Sequence, residues 1–150
     1  MSVAIGCDHY GYPLKEKVVA FLDKEGYEYE DYGTDSEENE VDYPDIAEKV
    51  ANEVADGKHE RGILVCGTGT GIAIAANKVK GIRATPVTDI YQAERSRKSN
   101  NAQIMTLGSQ VTGYKTAELL VDAWMKSDFT GGRSTRKVDK LKDMDERNFK

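Results

Sequence analysis

The stretch RGILVCGTGTGIAIAANK (61–78) decides the fold, because it passes from an apolar strand through a glycine-rich turn into a helix. Its first part, RGILVCG (61–67), is a nearly continuous apolar run, which is typical of a strand covered on both faces. Glycines then alternate with threonines, and the small apolar residues that follow have helical spacing. We therefore expect a central strand that carries Cys66 at its end and a helix over 71–79.

The alternation of strands and helices continues in both directions from this stretch. Five segments have strand patterns, and a helical pattern follows each of them. Parallel pairing through right-handed crossovers is the arrangement that such an alternation favours. The sequence thus predicts an α/β fold, a three-layer α/β/α sandwich with a five-stranded parallel sheet. The predicted strands cover 2–7, 27–33, 61–67, 82–88 and 104–108. Two of the predicted helices begin at Pro13 and Pro44, and the other three cover 71–79, 89–99 and 114–126.

Length and charge narrow the classes of function. A chain of 150 residues fits one domain over 1–150, because two domains would each be small. The 21 lysines and arginines against 26 aspartates and glutamates give a net charge of −5, which argues against binding to nucleic acid or to anionic membranes. No apolar run is long enough to span a membrane, and no basic segment precedes an apolar run at the start. We expect a cytoplasmic protein that acts on a small molecule.

The segment from residue 128 onward has little apolar surface of its own. It is rich in charge, and only Val138, Leu141 and Met144 recur at helical spacing. Two alternatives are open for this thin amphipathic helix: packing across a dimer interface, or a solvated tail.

Cys66 stands at the carboxyl end of the central strand, the edge at which parallel sheets bind ligands. In the loop from Gly67 to Gly71 glycines alternate, so backbone N–H groups can converge at the start of the next helix. Such a loop suits an anion, and its field favours the thiolate form of a nearby cysteine. Cys66 is therefore a candidate base or nucleophile, and a buried, inert cysteine above a tight turn is the alternative. We expect both it and Cys7 to be free thiols.

Other glycine and cysteine motifs do not match this loop. The dinucleotide motif needs a glycine at position 72, which is Ile72, and no Walker-type lysine is present. A cysteine phosphatase loop would place an arginine six residues after Cys66, again at Ile72. Binding of dinucleotides or nucleoside triphosphates and phosphocysteine chemistry are thus disfavoured.

Two other loops reach the same edge of the predicted sheet. The CDHY segment carries Asp8 and His9, either a functional pair or ordinary surface residues. The VDYP segment carries Asp42 and Tyr43, with capping of the next helix by Asp42 as the alternative. His59 precedes the third strand and is expected at the opposite edge. A base beside an anion-binding loop, with no metal-ligand pattern, suits proton abstraction next to a carbonyl.

Six motifs together resemble a known family. GCDH, DYGT, DYPD, GILVCGTGTGIAIAANK, GIRA and GGR occur in the order seen in type B ribose-5-phosphate isomerases and in galactose-6-phosphate isomerase subunits. The resemblance covers nearly the whole chain, and the CGTG-x-G-x-x-x-AANK block is highly specific. It implies a Rossmann-like homodimer or dimer of dimers that has active sites shared between subunits and uses no cofactor. It also implies interconversion of aldose and ketose phosphates through a cis-enediolate.

The resemblance also implies roles for residues of this chain. Cys66 would be the general base that moves a proton between C1 and C2, and Thr68 would assist ring opening. The remaining residues would bind substrate: the amides of Gly67, Gly69 and Gly71 hold the enediolate oxygens, Asp8 and Asn100 bind hydroxyls, Tyr43 lines the pocket, and His9 and Arg133 meet the phosphate.

The chain departs from the family's pattern at four positions. Ser99 stands where the family has the histidine that moves the ring-opening proton, and serine is a poor acid or base near neutral pH. Gln110 and Ser134 replace an arginine and a histidine. Lys137 replaces a second arginine, for which the neighbouring Arg136 is a candidate substitute. Because lysine lacks the bidentate fork of arginine, these changes bear on phosphate binding, for which the candidates are Arg133, Arg136, Lys137 and His9.

Three functions are compatible with these departures. The main hypothesis is an isomerase of ribose 5-phosphate that opens the ring through Thr68 and water, or that uses the small open-chain fraction. The second is an isomerase of a tetrose 4-phosphate, which cannot close a furanose because its O4 is esterified. The third is a non-catalytic sugar-phosphate sensor. The presence of Cys66 disfavours the sensor, since a sensor needs no thiol base.

Overall fold

The computed structural model describes residues 1–149 and contains five strands, each followed by a helix. None of the helices in these residues is long and apolar enough to cross a membrane. The last helix is preceded by a short 3-10 turn over Gly132–Ser134. The strands are β1 (Ser2–Cys7), β2 (Glu28–Asp31), β3 (Arg61–Cys66), β4 (Ala84–Pro86) and β5 (Ile104–Gly108), and the helices are α1 (Tyr12–Lys24), α2 (Tyr43–Ala55), α3 (Thr70–Ala76), α4 (Ile90–Lys98), α5 (Tyr114–Met125) and α6 (Thr135–Asn148).

The strands form one parallel sheet in the order β2-β1-β3-β5-β4, so the predicted α/β fold is confirmed. β3 is central, as its apolar run predicted. From β1 the chain runs to one side, to β2, and then returns to the other side, to β3. The carboxyl ends of β1 and β3 therefore form the switch point at which such sheets bind ligands. β5 lies between β3 and β4, an order that the spacing of the segments does not encode.

Helices cover both faces of the sheet, because successive strand residues point to opposite sides. In β3, Ile63 and Val65 pack into the cluster that contains residues of α1 and α5. Leu64 and Cys66 pack instead with residues of α2 and α3. All six residues of β3 are buried. The strand that carries Cys66 is thus held from both sides, which fixes the position of its last side chain.

The glycine loop between β3 and α3 lies tightly against the end of β5. Gly69 has φ +79°, and a Cβ there would lie 2.9 Å from the carbonyl carbon of Leu107. The hydroxyl of Thr106 donates to the Gly69 carbonyl at 2.6 Å. A Cβ on Gly108 would lie 2.4 Å from the carbonyl carbon of Thr68. Glycine is therefore required at both positions for the loop to approach the strand this closely.

Helix α3 ends at Ala76, earlier than the predicted end at residue 79. The next residue, Asn77, accepts the N–H of Ala84 and donates to its carbonyl, both at 2.8 Å. These two bonds attach the end of α3 to the first residue of β4. The asparagine of the AANK motif thus attaches the end of the helix to the sheet.

Helix α6 leaves most of its apolar stripe uncovered. Val138 is buried, but Leu141 is 38% exposed and Met144 is 45% exposed. Near its end the helix contacts the rest of the chain through Asp145, which accepts the N–H of Gly81 at 3.1 Å. Packing of this helix on a second subunit stays a prediction.

Candidate active site

A cavity of about 390 Å³ lies at the switch point of the sheet, and we call it the Cys66 cavity. The loop after β1 supplies a carboxylate, the end of β3 supplies the thiol, and the glycine loop supplies three residues of the wall. The start of α2 closes one side with an aromatic ring. The lining residues are Asp8, Tyr10, Tyr43, Cys66, Gly67, Thr68, Gly71 and Gln110.

Cys66 is 4% exposed, and the cavity provides its access to small molecules. Its Sγ accepts the N–H of Gly69 at an N···S distance of 3.1 Å. A hydrogen bond donated to sulfur stabilises the negatively charged thiolate more than the neutral thiol. This arrangement gives Cys66 what a general base needs: access to the cavity and a donor that supports the charged form.

The Gly69 amide therefore has a different partner from the one expected from the resemblance. While it donates to Cys66, it is not available to an enediolate oxygen. Position 71 favours glycine for a steric reason, because a Cβ there would lie 2.8 Å from Cζ of Tyr43. It stays a prediction that the Gly67 and Gly71 amides donate hydrogen bonds to the enediolate oxygens.

Cys7 has the opposite environment to Cys66. It is fully buried, and its Sγ donates to the Thr34 carbonyl at 3.8 Å. Burial raises the pKa of the Cys7 thiol to about 12. Both cysteines are free thiols, as predicted. Neither belongs to a cluster of three or more metal-ligating side chains within residues 1–149.

Asp8 is the acidic group of the Cys66 cavity. It is 4% exposed, and its Oδ1 accepts the N–H of Gly11 at 2.9 Å. Burial raises the pKa of Asp8 above its ordinary value of 3.8, and the hydrogen bond from Gly11 opposes this only in part. The side chain lines the cavity beside Cys66, and its contact to a substrate hydroxyl stays a prediction.

Tyr43 is the first residue of α2, and its ring lies over Gly71 in the wall of the cavity. It is 41% exposed, so part of its side chain faces solvent. Asp42 occupies the cap position of this helix, but its side chain makes no capping hydrogen bond. Helix capping, the alternative role for Asp42, is therefore not supported.

The two histidines lie in different places, and neither lines the Cys66 cavity. The Nδ1 of His9 accepts the N–H of Val41 at 3.2 Å, so the ring links the first loop to the segment before α2. Its role at the phosphate stays a prediction. His59 precedes β3 at the opposite edge, as predicted, and its ring nitrogens contact the hydroxyls of Ser2 and Tyr32.

Most of the expected phosphate ligands lie in a second cavity, of about 660 Å³, between α4 and the start of α6. We call it the cationic cavity. No carboxylate lines it, and none of its four cationic side chains forms an ion pair within residues 1–149. Uncompensated cations around one cavity favour binding of a phosphate group. The lining residues are Tyr91, Arg95, Ser99, Arg133, Ser134, Arg136 and Lys137.

Within one chain, Cys66 and the segment with Ser99 and Asn100 lie at opposite edges of the sheet. This segment follows α4 and leads into β5, whose first residue, Ile104, pairs with Gly62 near the start of β3. Cys66 is the last residue of β3. Asn100 is exposed and lines neither cavity. The structure thus brings Cys66, Asp8 and Tyr43 together and does not bring Asn100 to them.

Sequence reasoning missed three residues of the two cavities, Tyr10, Tyr91 and Arg95. Arg95 is the most informative of them, because its Nε donates to Ser99 Oγ at 2.7 Å. The sequence did contain a signal for this contact. Arg95 and Ser99 are four positions apart in a predicted helix, which places their side chains on one face.

Comparison with known proteins identifies the family. The family model described as Ribose/Galactose Isomerase matches residues 3–141. The chain belongs to this family. A Listeria innocua protein named ribose-5-P isomerase B is 51% identical over 99% of both chains. The resemblance inferred from the six motifs is confirmed, and so is the predicted class of enzyme, an aldose-ketose isomerase.

Members of the ribose/galactose isomerase family differ in the substrates that their names give. A Pectobacterium atrosepticum protein named D-erythrulose-4-phosphate isomerase is 45% identical over 94% of this chain and 93% of that protein. Among solved structures, ribose-5-phosphate isomerase B of Clostridium thermocellum superposes with a TM-score of 0.95 at 48% identity. That match covers 98% of this chain and 99% of the other.

Proposed function

We propose that this isomerase interconverts ribose 5-phosphate and ribulose 5-phosphate, with Cys66 as the general base. The observation that carries the proposal is the hydrogen bond from the Gly69 amide to Cys66 Sγ, inside a cavity that also contains Asp8. The relative named ribose-5-P isomerase B, at 51% identity, supports the choice of a pentose phosphate.

In the proposed reaction, the Cys66 thiolate removes the proton from C2 of the open-chain aldose. The electron pair of that C–H bond forms a double bond between C1 and C2, and the carbonyl pair moves onto O1. A proton passes from O2 to O1, and the thiol then returns its proton to C1 as the carbonyl forms at C2. The Gly69 N–H stabilises the sulfur when it is charged, and the Gly67 and Gly71 amides stabilise the enediolate oxygens.

We further propose that a second copy of the chain completes each site, in a homodimer or a dimer of dimers. The Cys66 cavity has no lysine or arginine among its lining residues, whereas the cationic cavity has four such residues and no thiol. A six-residue strand such as β3 spans about 20 Å, which is longer than a pentose phosphate. The phosphate of a sugar bound at Cys66 would therefore lie in the cationic cavity of the second copy.

A second candidate function is isomerisation of a tetrose 4-phosphate. Neither cavity has a histidine among its lining residues, and the Ser99 hydroxyl accepts a hydrogen bond from a guanidinium. General acid–base catalysis of ring opening works best with a group that exchanges protons near neutral pH, and arginine stays protonated there. A tetrose 4-phosphate needs no ring opening, and the relative named D-erythrulose-4-phosphate isomerase supports this alternative.

The two functions are distinguished by proton NMR of the purified protein with each sugar phosphate. Formation of ribulose 5-phosphate from ribose 5-phosphate, with a kcat/KM above that for the tetrose, is the result we expect. Conversion of the tetrose 4-phosphate alone would replace the first function with the second. If a folded protein binds both sugars and converts neither, the chain is the sensor of the third hypothesis.

A further inference from the structure

Arg95 is a cation of the cationic cavity that lies outside the motifs quoted for the family. It stands on α4, one turn before Ser99, and its Nε donates to Ser99 Oγ at 2.7 Å. Its two terminal nitrogens make no hydrogen bond or ion pair within residues 1–149. The guanidinium is thus fixed at one nitrogen while the other two have no partner in the chain.

No other basic residue of α4 is placed in this way. Lys98 pairs with Glu94 at 3.7 Å and does not line the cavity. Arg97 is buried, and its guanidinium donates to the Ala102 carbonyl at 2.8 Å. Arg95 therefore supplies the only cation that α4 contributes to the cavity, opposite the cations at the start of α6.

We propose that Arg95 is a phosphate-binding residue of this isomerase and that Ser99 positions it. The inference rests on the proposed function, because it assigns the anion in the cationic cavity to the phosphate of a sugar. A guanidinium that is held at Nε loses less rotamer freedom when its terminal nitrogens bind an anion. Arginine also offers the two parallel N–H bonds that suit phosphate, which Lys137 does not offer.

This assignment also gives Ser99 a role other than proton transfer. The Ser99 oxygen accepts the hydrogen bond that orients the Arg95 guanidinium, which stays charged. Ser99 therefore contributes to phosphate binding instead of to ring opening. Four cations without a carboxylate around one cavity repel one another, and a bound dianion would relieve that repulsion. Arg95 thus supplies a guanidinium on the α4 side of the cavity. Arg133 and Arg136 supply guanidinium groups on the opposite side, at the start of α6.

The first test is calorimetric titration of inorganic phosphate into the full-length protein and three variants. Arg95→Met should weaken phosphate binding about tenfold, because charge-assisted hydrogen bonds are lost. Ser99→Ala should weaken it about threefold, because the guanidinium is no longer held. The matched control, Lys98→Met, removes the same charge from the same helix and should leave the affinity within about twofold of wild type. Unchanged phosphate affinity in Arg95→Met would overturn the proposal.

Turnover of ribose 5-phosphate provides the second test. Both Arg95→Met and Ser99→Ala should raise KM and leave kcat nearly unchanged, and the double variant should resemble Arg95→Met alone. Arg95→Lys keeps the charge without the fork and should fall between wild type and Arg95→Met. If Ser99→Ala lowers kcat and leaves the phosphate affinity intact, Ser99 acts on the sugar itself and the positioning role is wrong.

The calorimetric result separates this inference from the proposed function. Weakened phosphate binding in Arg95→Met, in a protein that converts no pentose phosphate, would support the phosphate site and contradict the proposed isomerase substrate. Normal phosphate binding in Arg95→Met, in a protein that does convert ribose 5-phosphate, would contradict the inference alone. Unfolding midpoints no lower than that of wild type by more than a few degrees should accompany every variant, since Arg95 and Ser99 are only half-buried.

Discussion

Two cysteines end neighbouring strands of the same sheet, and their surroundings differ. Cys7 lies in the closed core beside the Thr34 carbonyl, and burial raises its thiol pKa to about 12. Cys66 opens onto a cavity and accepts an N–H from Gly69. The sequence placed Cys66 correctly, because its strand and the glycines after it have a strong local pattern. It could not show that the Gly69 amide points at the sulfur, because that depends on how the loop packs on β5.

Asp8 provides a prediction about pH. Its pKa is raised by burial in the folded state, so the folded protein disfavours the carboxylate relative to the unfolded chain. This penalty is absent below the unfolded pKa and grows as the pH rises through the folded pKa. Asp8→Asn keeps an acceptor for the Gly11 N–H and removes the penalty. The variant should therefore be more stable than wild type near neutral pH, with the difference shrinking toward about pH 4.

The measurement for Asp8→Asn is urea unfolding across this pH range, together with KM for the sugar phosphate. We expect weaker substrate binding alongside the gain in stability, since Asp8 lines the cavity. A variant less stable than wild type near neutral pH would contradict the assignment of the raised pKa to burial.

At the scale of elements, the strands and helices were largely predictable and their order in the sheet was not. The apolar runs of β1 and β5 gave the bounds Ser2–Cys7 and Ile104–Gly108 as observed. The position of β5 between β3 and β4 was not predictable, because periodicity carries no information about which strands pair. The early end of α3 was also missed, and there the Asn77 side chain is hydrogen-bonded to Ala84, the first residue of the next strand.

The contact between β5 and the glycine loop gives a prediction at this scale. In Gly108→Ala the new Cβ would lie 2.4 Å from the Thr68 carbonyl carbon, so the backbone of the loop has to move. We expect a loss of about 1–3 kcal/mol in the free energy of unfolding, as for other overpacked sites. Activity should also fall, because the loop that supports Cys66 is displaced.

Gly113→Ala is the matched control for Gly108→Ala. It has φ −69°, and a Cβ there would meet no atom within 4 Å. Chemical unfolding and isomerase assays of both variants are the measurement. Equal stability and activity of the two variants would contradict the close approach of loop and strand.

At the scale of the whole molecule, the two cavities of one chain carry different chemical groups, and the proposed homodimer would combine them in one site. The Cys66 cavity has a base and no cation, and the cationic cavity has cations and no base. The resemblance named most of the residues that line the two cavities. A linear motif does not show, however, which of these residues lie together within one chain. Only the topology, with Cys66 and Ser99 at opposite edges of one sheet, separates them.

Complementation between inactive variants tests this division. Cys66→Ala and Arg133→Ala should each have little activity, because each damages every site of its own dimer. When the two are unfolded together and refolded as a mixture, half of the dimers are mixed, and each mixed dimer has one intact site. About a quarter of wild-type activity should return. Activity that equals the sum of the separate samples would contradict a site shared between two copies of the chain.

The most direct measurement is proton NMR of ribose 5-phosphate in D₂O with wild type and with Cys66→Ala, following the proton on C2. Wild type should exchange this proton for deuterium and form ribulose 5-phosphate. Cys66→Ala should bind the sugar and lose both processes by a factor of about 10²–10⁴, the usual contribution of a general base. Exchange in Cys66→Ala at a rate close to wild type would show that another group moves the proton.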